Sequence, residues 1–156
     1  PLTNPAGATH QLIGVFDPAL TETMAQVLAE LGSEAAFVVH GHNGLDELTT
    51  AGVNRVSELR DGVVSTYSLS AADYGLRPAS AADLRGGDPA ENAAITRAIL
   101  AGEDSPRSDV VVLNAATALV MNGVDWKTAV STTRDILANG NALAKLDALI
   151  DKSNAI

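Results

Sequence analysis

The stretch Gln11-Leu12-Ile13-Gly14-Val15-Phe16-Asp17-Pro18, leading through a helical run to Ala35-Ala36-Phe37-Val38-Val39-His40, decides the fold class. Gln11 to Phe16 has the short apolar character of a buried strand, and Asp17-Pro18 offers an N-cap followed by a proline suited to the first helical position. Leu20, Met24, Val27, Leu28 and Leu31 then recur at helical spacing, which predicts a helix with those residues on its core face, closed by Gly32. Ala35 to His40 reads as a second buried strand. Strand, helix and strand within about 30 residues make a βαβ unit, the building block of parallel sheets. Ligand sites in such sheets lie beyond the C-terminal strand ends, so chemistry is expected in the loop after His40.

Downstream, Arg55 to Leu59 and Val63 to Leu69 read as two short strands joined through Arg60-Asp61-Gly62 as a hairpin. Past Asp88 the pattern becomes helical. Asp88-Pro89-Ala90-Glu91 is a capping box with proline at the first position, and Gly102 ends that segment. Ser105-Pro106 begins a further helix running to Asn122-Gly123; Val110, Val111 and Val112 suit a strand by propensity, but length and the two caps favour a buried helix. Asp125 caps a segment with Trp126, Ala129, Val130, Thr133 and Leu137 on one face, and Leu143, Leu146, Leu149 and Ile150 line a last amphipathic helix.

The chain has 156 residues, a length at which one hydrophobic core is the default. Its formal net charge of -9 and its lack of a Lys or Arg run argue against nucleic-acid binding. The absence of cysteine excludes disulfides, zinc-thiolate centres and a thiol nucleophile, and fits a cytoplasmic protein. No apolar stretch approaches the roughly 20 residues of a membrane span. The opening Pro1-Leu2-Thr3-Asn4-Pro5 lacks the character of a signal peptide and reads as the continuation of a longer chain.

The densest polar cluster, His40-Gly41-His42-Asn43-Gly44-Leu45-Asp46-Glu47, falls in the loop singled out by the βαβ unit. Its glycines permit sharp turns or a close approach, and Asp46 and Glu47 supply hard oxygen ligands of the kind magnesium prefers. Spacing alone leaves a second reading open, in which Asp46 caps a short helix and Glu47 is merely solvated. His40 and His42 would share a face on an extended backbone, but no third imidazole or thiolate is near, which favours a histidine hydrogen-bonded at a strand end. Gly86-Gly87-Asp88 before a capped helix suggests a phosphate loop; Asp88 as N-cap would put a negative charge where the anion should sit, so a turn is preferred.

Taken together, Pro1-Leu2-Thr3-Asn4-Pro5-Ala6-Gly7, Gly14-Val15-Phe16, Val38-Val39-His40-Gly41, Gly44-Leu45-Asp46-Glu47, Leu84-Arg85-Gly86-Gly87-Asp88 with Glu91-Asn92-Ala93, and Leu113-Asn114-Ala115-Ala116 resemble the anthranilate phosphoribosyltransferase family, in the same order. The resemblance implies an α/β fold: residues 1–156 would be the C-terminal part of a nucleoside phosphorylase/phosphoribosyltransferase-type catalytic domain, with a mixed, largely parallel sheet flanked by helices. It implies transfer of a phosphoribosyl group from phosphoribosyl diphosphate to anthranilate, with release of pyrophosphate, in tryptophan biosynthesis. Asp46 and Glu47 would hold magnesium, two ions with the diphosphate substrate, and Pro1 would lie near the tunnel that admits anthranilate. The family's diphosphate loop, its other metal contacts, its first sheet strands and the helical domain that makes its homodimer all belong upstream of Pro1, so the chain alone is expected to be inactive. A pyrimidine-nucleoside phosphorylase of the same fold, or a non-catalytic domain binding a divalent ion or partner, are the competing readings.

Overall fold

Two faces of one short sheet divide the hydrophobic residues into two cores, and the alternation of side chains along its central strand sets the division. The computed structural model describes Leu2 and residues 6–155. Strands β1 (His10–Gly14), β2 (Ala35–His40), β3 (Val53–Arg60) and β4 (Val63–Ser70) lie in the order β1-β2-β3-β4. Helix α1 (Leu20–Glu30) connects β1 to β2, while α2 (Pro89–Leu100), α3 (Pro106–Met121), α4 (Trp126–Ala138) and α5 (Asn141–Asn154) follow the sheet.

Within β2, Ala36 and Val38 point toward α1 and pack with Ala25, Leu28, Val15 and Leu59. Ala35, Phe37 and Val39 point the other way, into the larger core with Val56, Leu69, Val112, Leu113, Ala116 and Val130. The period-2 geometry of a strand thus makes β2 buried on both sides, as its continuous apolar run implied. Trp126 closes one end of the larger core, edge-on to Phe37 at 5.8 Å and stacked on Tyr74 at 5.6 Å.

The sheet is mixed, as expected, but among the described strands it is not largely parallel: β1 pairs with β2 in parallel, whereas β2 with β3 and β3 with β4 are antiparallel. The hairpin accounts for this: Asp61 and Gly62 both have positive φ, 51° and 76°, the two-residue turn whose twist matches an antiparallel pair. Its strands run slightly longer than the propensities indicate.

Helix α1 differs from expectation in start and in face. Asp17 does not cap it; the Asp17 carboxylate accepts from the Ala19 amide at 2.9 Å in a turn, and the helix opens at Leu20 with Ala19 as an uncapped N-cap. Its buried residues are Thr21, Ala25 and Leu28, while Leu31 is 58 % exposed. Small residues let the helix approach the sheet closely, so its larger apolar residues flank the contact. The three downstream caps hold as read: the side chains of Asp88, Ser105 and Asp125 accept from the amides of Glu91, Ser108 and Thr128. Helix α5 buries none of its residues, and Leu149 points outward from it.

One buried charge ties the helical layer together. Asp109, in the first turn of α3, accepts from Arg77 Nε at 2.7 Å, from the Arg77 amide at 2.9 Å and from Arg134 of α4 at 3.0 Å. Burial pushes its carboxyl pKa up, but the Arg77 guanidinium and amide, with Arg134, outweigh this and hold it below the usual carboxylate range. The charged form therefore stabilises the fold above the unfolded pKa of about 3.9, and that contribution is lost as pH falls through the lower folded value. Asp109→Asn is expected to cost about 1 to 3 kcal/mol at neutral pH, tempered by the half-exposed arginines. Thermal melts should show the gap between variant and parent closing in strong acid.

Candidate functional site

Beyond the C-terminal ends of β1 and β2 the chain turns through a short 3-10 segment, His42–Gly44, with Asn43 in the left-handed region at φ 62°. The loop then presents the solvent-accessible side chains of Asp46 and Glu47, the latter partly sheltered, while its backbone is held by close contacts. The Leu45 carbonyl accepts from the Gly41 amide at 2.7 Å. The Asp46 carbonyl lies over Gly14, where an added Cβ would stand 1.5 Å from that oxygen, and the Glu47 carbonyl lies over Gly41, where it would stand 2.3 Å away. These two glycines are required by close approach of one backbone to another. The carbonyls face the strand ends, and the carboxylates face outward.

No described helix starts at Asp46, because residues 46–52 have no helical turn; the cap reading of that residue is therefore set aside. Among the described residues neither carboxylate accepts a hydrogen bond or meets a cation within ion-pair distance. Partial burial, and secondarily the neighbouring Asp46 charge, lift the Glu47 carboxyl above its ordinary pKa. A carboxylate so placed favours a counter-cation. It also opposes folding when ionised without one, since a raised folded pKa makes stability fall as pH rises from the unfolded value through the folded one. Glu47→Gln in metal-free buffer at neutral pH is accordingly expected to leave the melting temperature unchanged or raise it, whereas loss of a structural carboxylate would lower it.

Glu47 also borders a cleft of about 320 Å³ lined by Arg85, Asn92, Ile95, Arg107 and Val111, among others. Arg107 donates to the Arg85 carbonyl at 2.8 Å, and neither arginine is in an ion pair among the described residues. The cleft that Glu47 borders is thus also lined by two arginines, whose guanidinium groups suit an anion. In the sequence Arg85 stands within the Leu84-Arg85-Gly86-Gly87-Asp88 stretch that carries the family resemblance, and Arg107 is marked only by following the Ser105-Pro106 cap; neither carries a signal of its own for a site.

The histidines divide. His40 Nδ1 donates to the Val15 carbonyl at 2.9 Å, the strand-end role expected of it, and the His42 ring packs over Gly52. No group of three or more His, Cys, Asp or Glu residues forms a metal cluster among the described residues. Gly86-Gly87 is a turn: the Asn92 carboxamide accepts from the Gly87 amide at 2.9 Å and donates to its carbonyl at 3.0 Å, while Asp88 caps α2. Pro1 lies outside the described residues. No described helix is long and apolar enough to cross a membrane.

Residues 1–143 match the profile of the glycosyl transferase family, a/b domain. The chain is 51% identical over 157 residues to the anthranilate phosphoribosyltransferase of a Roseiflexus species, an alignment covering 98% of this chain and 46% of that protein. Among solved structures it is similar to anthranilate phosphoribosyltransferase from Thermus thermophilus, with 38% identity, a TM-score of 0.79 and coverage of 86% of this chain and 40% of that one. It is also similar to the Saccharomyces cerevisiae enzyme in complex with PRPP and Mg, with 27% identity, a TM-score of 0.84 and coverage of 94% and 43%. The chain spans less than half the length of each of these proteins.

Proposed function

Because the chain belongs to the glycosyl transferase family, a/b domain, we propose that it forms the C-terminal part of the catalytic domain of an anthranilate phosphoribosyltransferase. The full-length protein would transfer the phosphoribosyl group of phosphoribosyl diphosphate to the amine of anthranilate, releasing pyrophosphate. The observation that carries this reading is the Asp46–Glu47 pair, without a partner among the described residues, on a closely packed loop backbone at the strand ends.

The donor set fits magnesium, which takes oxygen ligands and is commonly held by one or two carboxylates together with substrate phosphates. When bound, magnesium would offset the negative charge that gathers on the departing pyrophosphate. Two ions, as the family resemblance implies, would share these carboxylates with ligands supplied from outside the chain. Gly14 and Gly41 admit the loop backbone and so fix where the carboxylates stand. Anthranilate's amine is already a nucleophile, so the remaining task is to hold two substrates in register, which requires no covalent nucleophile from the protein. On this reading residues 1–156 alone are inactive. The lack of cysteine supports placing the protein in the cytoplasm, and the family resemblance alone supports a homodimer.

The test is loss of anthranilate fluorescence on mixing the full-length protein with phosphoribosyl diphosphate across a magnesium titration. Magnesium-dependent consumption is expected. Turnover of thymidine with phosphate instead, or a rate indifferent to magnesium, would refute the reading.

A further inference from the structure

The loop that carries Asp46 and Glu47 is gripped immediately downstream by two asparagines, Asn114 from 66 residues away in sequence and Asn54 from the strand that follows the loop. Asn114, in the middle of α3, accepts from the Leu48 amide at 3.0 Å and donates to the Leu48 carbonyl at 2.7 Å. A third bond, from its Nδ2 to the Val110 carbonyl at 3.0 Å, anchors the carboxamide to its own helix. Asn54, fully buried at the start of β3, repeats the arrangement one residue later: its Oδ1 accepts from the Thr49 amide at 2.7 Å and its Nδ2 donates to the Thr49 carbonyl at 2.9 Å. A carboxamide has one acceptor and one donor side by side, so it can satisfy both backbone groups of a single residue and fix that residue's position and orientation together.

We propose that Asn114 is a positioning residue for the cation held by Asp46 and Glu47: its two-point bond to Leu48, backed by the Asn54 bond to Thr49, sets where those carboxylates stand. The inference rests on the metal reading of the pair. From residue 45 to residue 49 each position then has a backbone restraint, by Gly41 at Leu45, Gly14 at Asp46, Gly41 again at Glu47, Asn114 at Leu48 and Asn54 at Thr49. Among the described residues the last two are the side-chain bonds, and of these Asn114 comes from the helical layer. That links the metal loop to α3, the same helix whose first turn supplies Arg107 to the adjoining cleft. A site held in this way has its ligands in place before the ion arrives, and groups that orient metal ligands commonly govern affinity by about 10- to 100-fold.

Asn114→Leu removes both bonds to Leu48 along with the bond to Val110, and Asn114→Asp keeps the acceptor but sets an oxygen against the Leu48 carbonyl. Both would be made in the full-length protein beside Asp46→Asn and a control, Thr133→Ala, which deletes a buried hydroxyl bonded within α4 at 2.8 Å. Two quantities are read: Mn2+ affinity by calorimetry in the presence of pyrophosphate, and hydrogen exchange of peptides spanning residues 45–50. The expected result is a loss of Mn2+ affinity of about tenfold or more in both Asn114 variants with faster local exchange, while the control loses melting temperature but keeps both readouts. Faster exchange with unchanged affinity would overturn the proposal and leave Asn114 a structural residue only. Unchanged affinity in Asp46→Asn would instead overturn the metal reading beneath it, and the proposal with it.

Discussion

Gly14→Ala in the full-length protein will lower turnover by about two orders of magnitude, the scale set by misplacing a reacting group by about 1 Å. The new Cβ would stand 1.5 Å from the Asp46 carbonyl oxygen and 2.3 Å from its carbon. Both are backbone atoms, so no side chain can swing aside and either β1 or the loop must move. β1 is tied to β2 along a five-residue register, so the loop, which has no such ladder, is the side expected to shift. Displacing the loop carries Asp46 and Glu47 with it. The overpacking should also cost about 1 to 3 kcal/mol of stability, visible as a lower melting temperature. Turnover within a few-fold of the parent would show that the carboxylate pair need not stand where the structure places it.

Asp46→Asn combined with Glu47→Gln is expected to reduce magnesium-dependent turnover by about two to three orders of magnitude, comparable to removing a principal electrostatic stabiliser of a charged transition state. The substitutions are nearly isosteric, and neither carboxylate has a protein partner among the described residues, so the fold should persist. Relieving the repulsion between adjacent charges, which with burial lifts the Glu47 pKa, should leave the metal-free protein at least as stable as its parent. Lost activity with retained or increased melting temperature separates a ligand role from a structural one.

Local signals make much of this architecture legible in the sequence alone. Asp61-Gly62 announces a hairpin, and Asp88, Ser105 and Asp125 announce helix starts, because each acts on amides within three residues of itself. The loop after His40 was marked out by its place behind a βαβ unit. The face of α1 was misread because periodicity counts large apolar residues, whereas contact with the sheet selected Thr21, Ala25 and Leu28. The supports of the site were hidden for a different reason. Asn114 meets Leu48 across 66 residues of sequence, and Gly14 owes its identity to a carbonyl at residue 46. Both residues stood in the stretches that carried the family resemblance, where they were letters without a cause; long-range geometry supplies it.

The claim that Asp46 and Glu47 form a cation site is tested most directly by anomalous scattering from crystals of the full-length protein grown with Mn2+ and pyrophosphate. A manganese peak within direct-ligand distance of an Asp46 or Glu47 carboxylate oxygen, absent in the doubly substituted protein, is the predicted result. A peak elsewhere, with both carboxylates unligated, would contradict it.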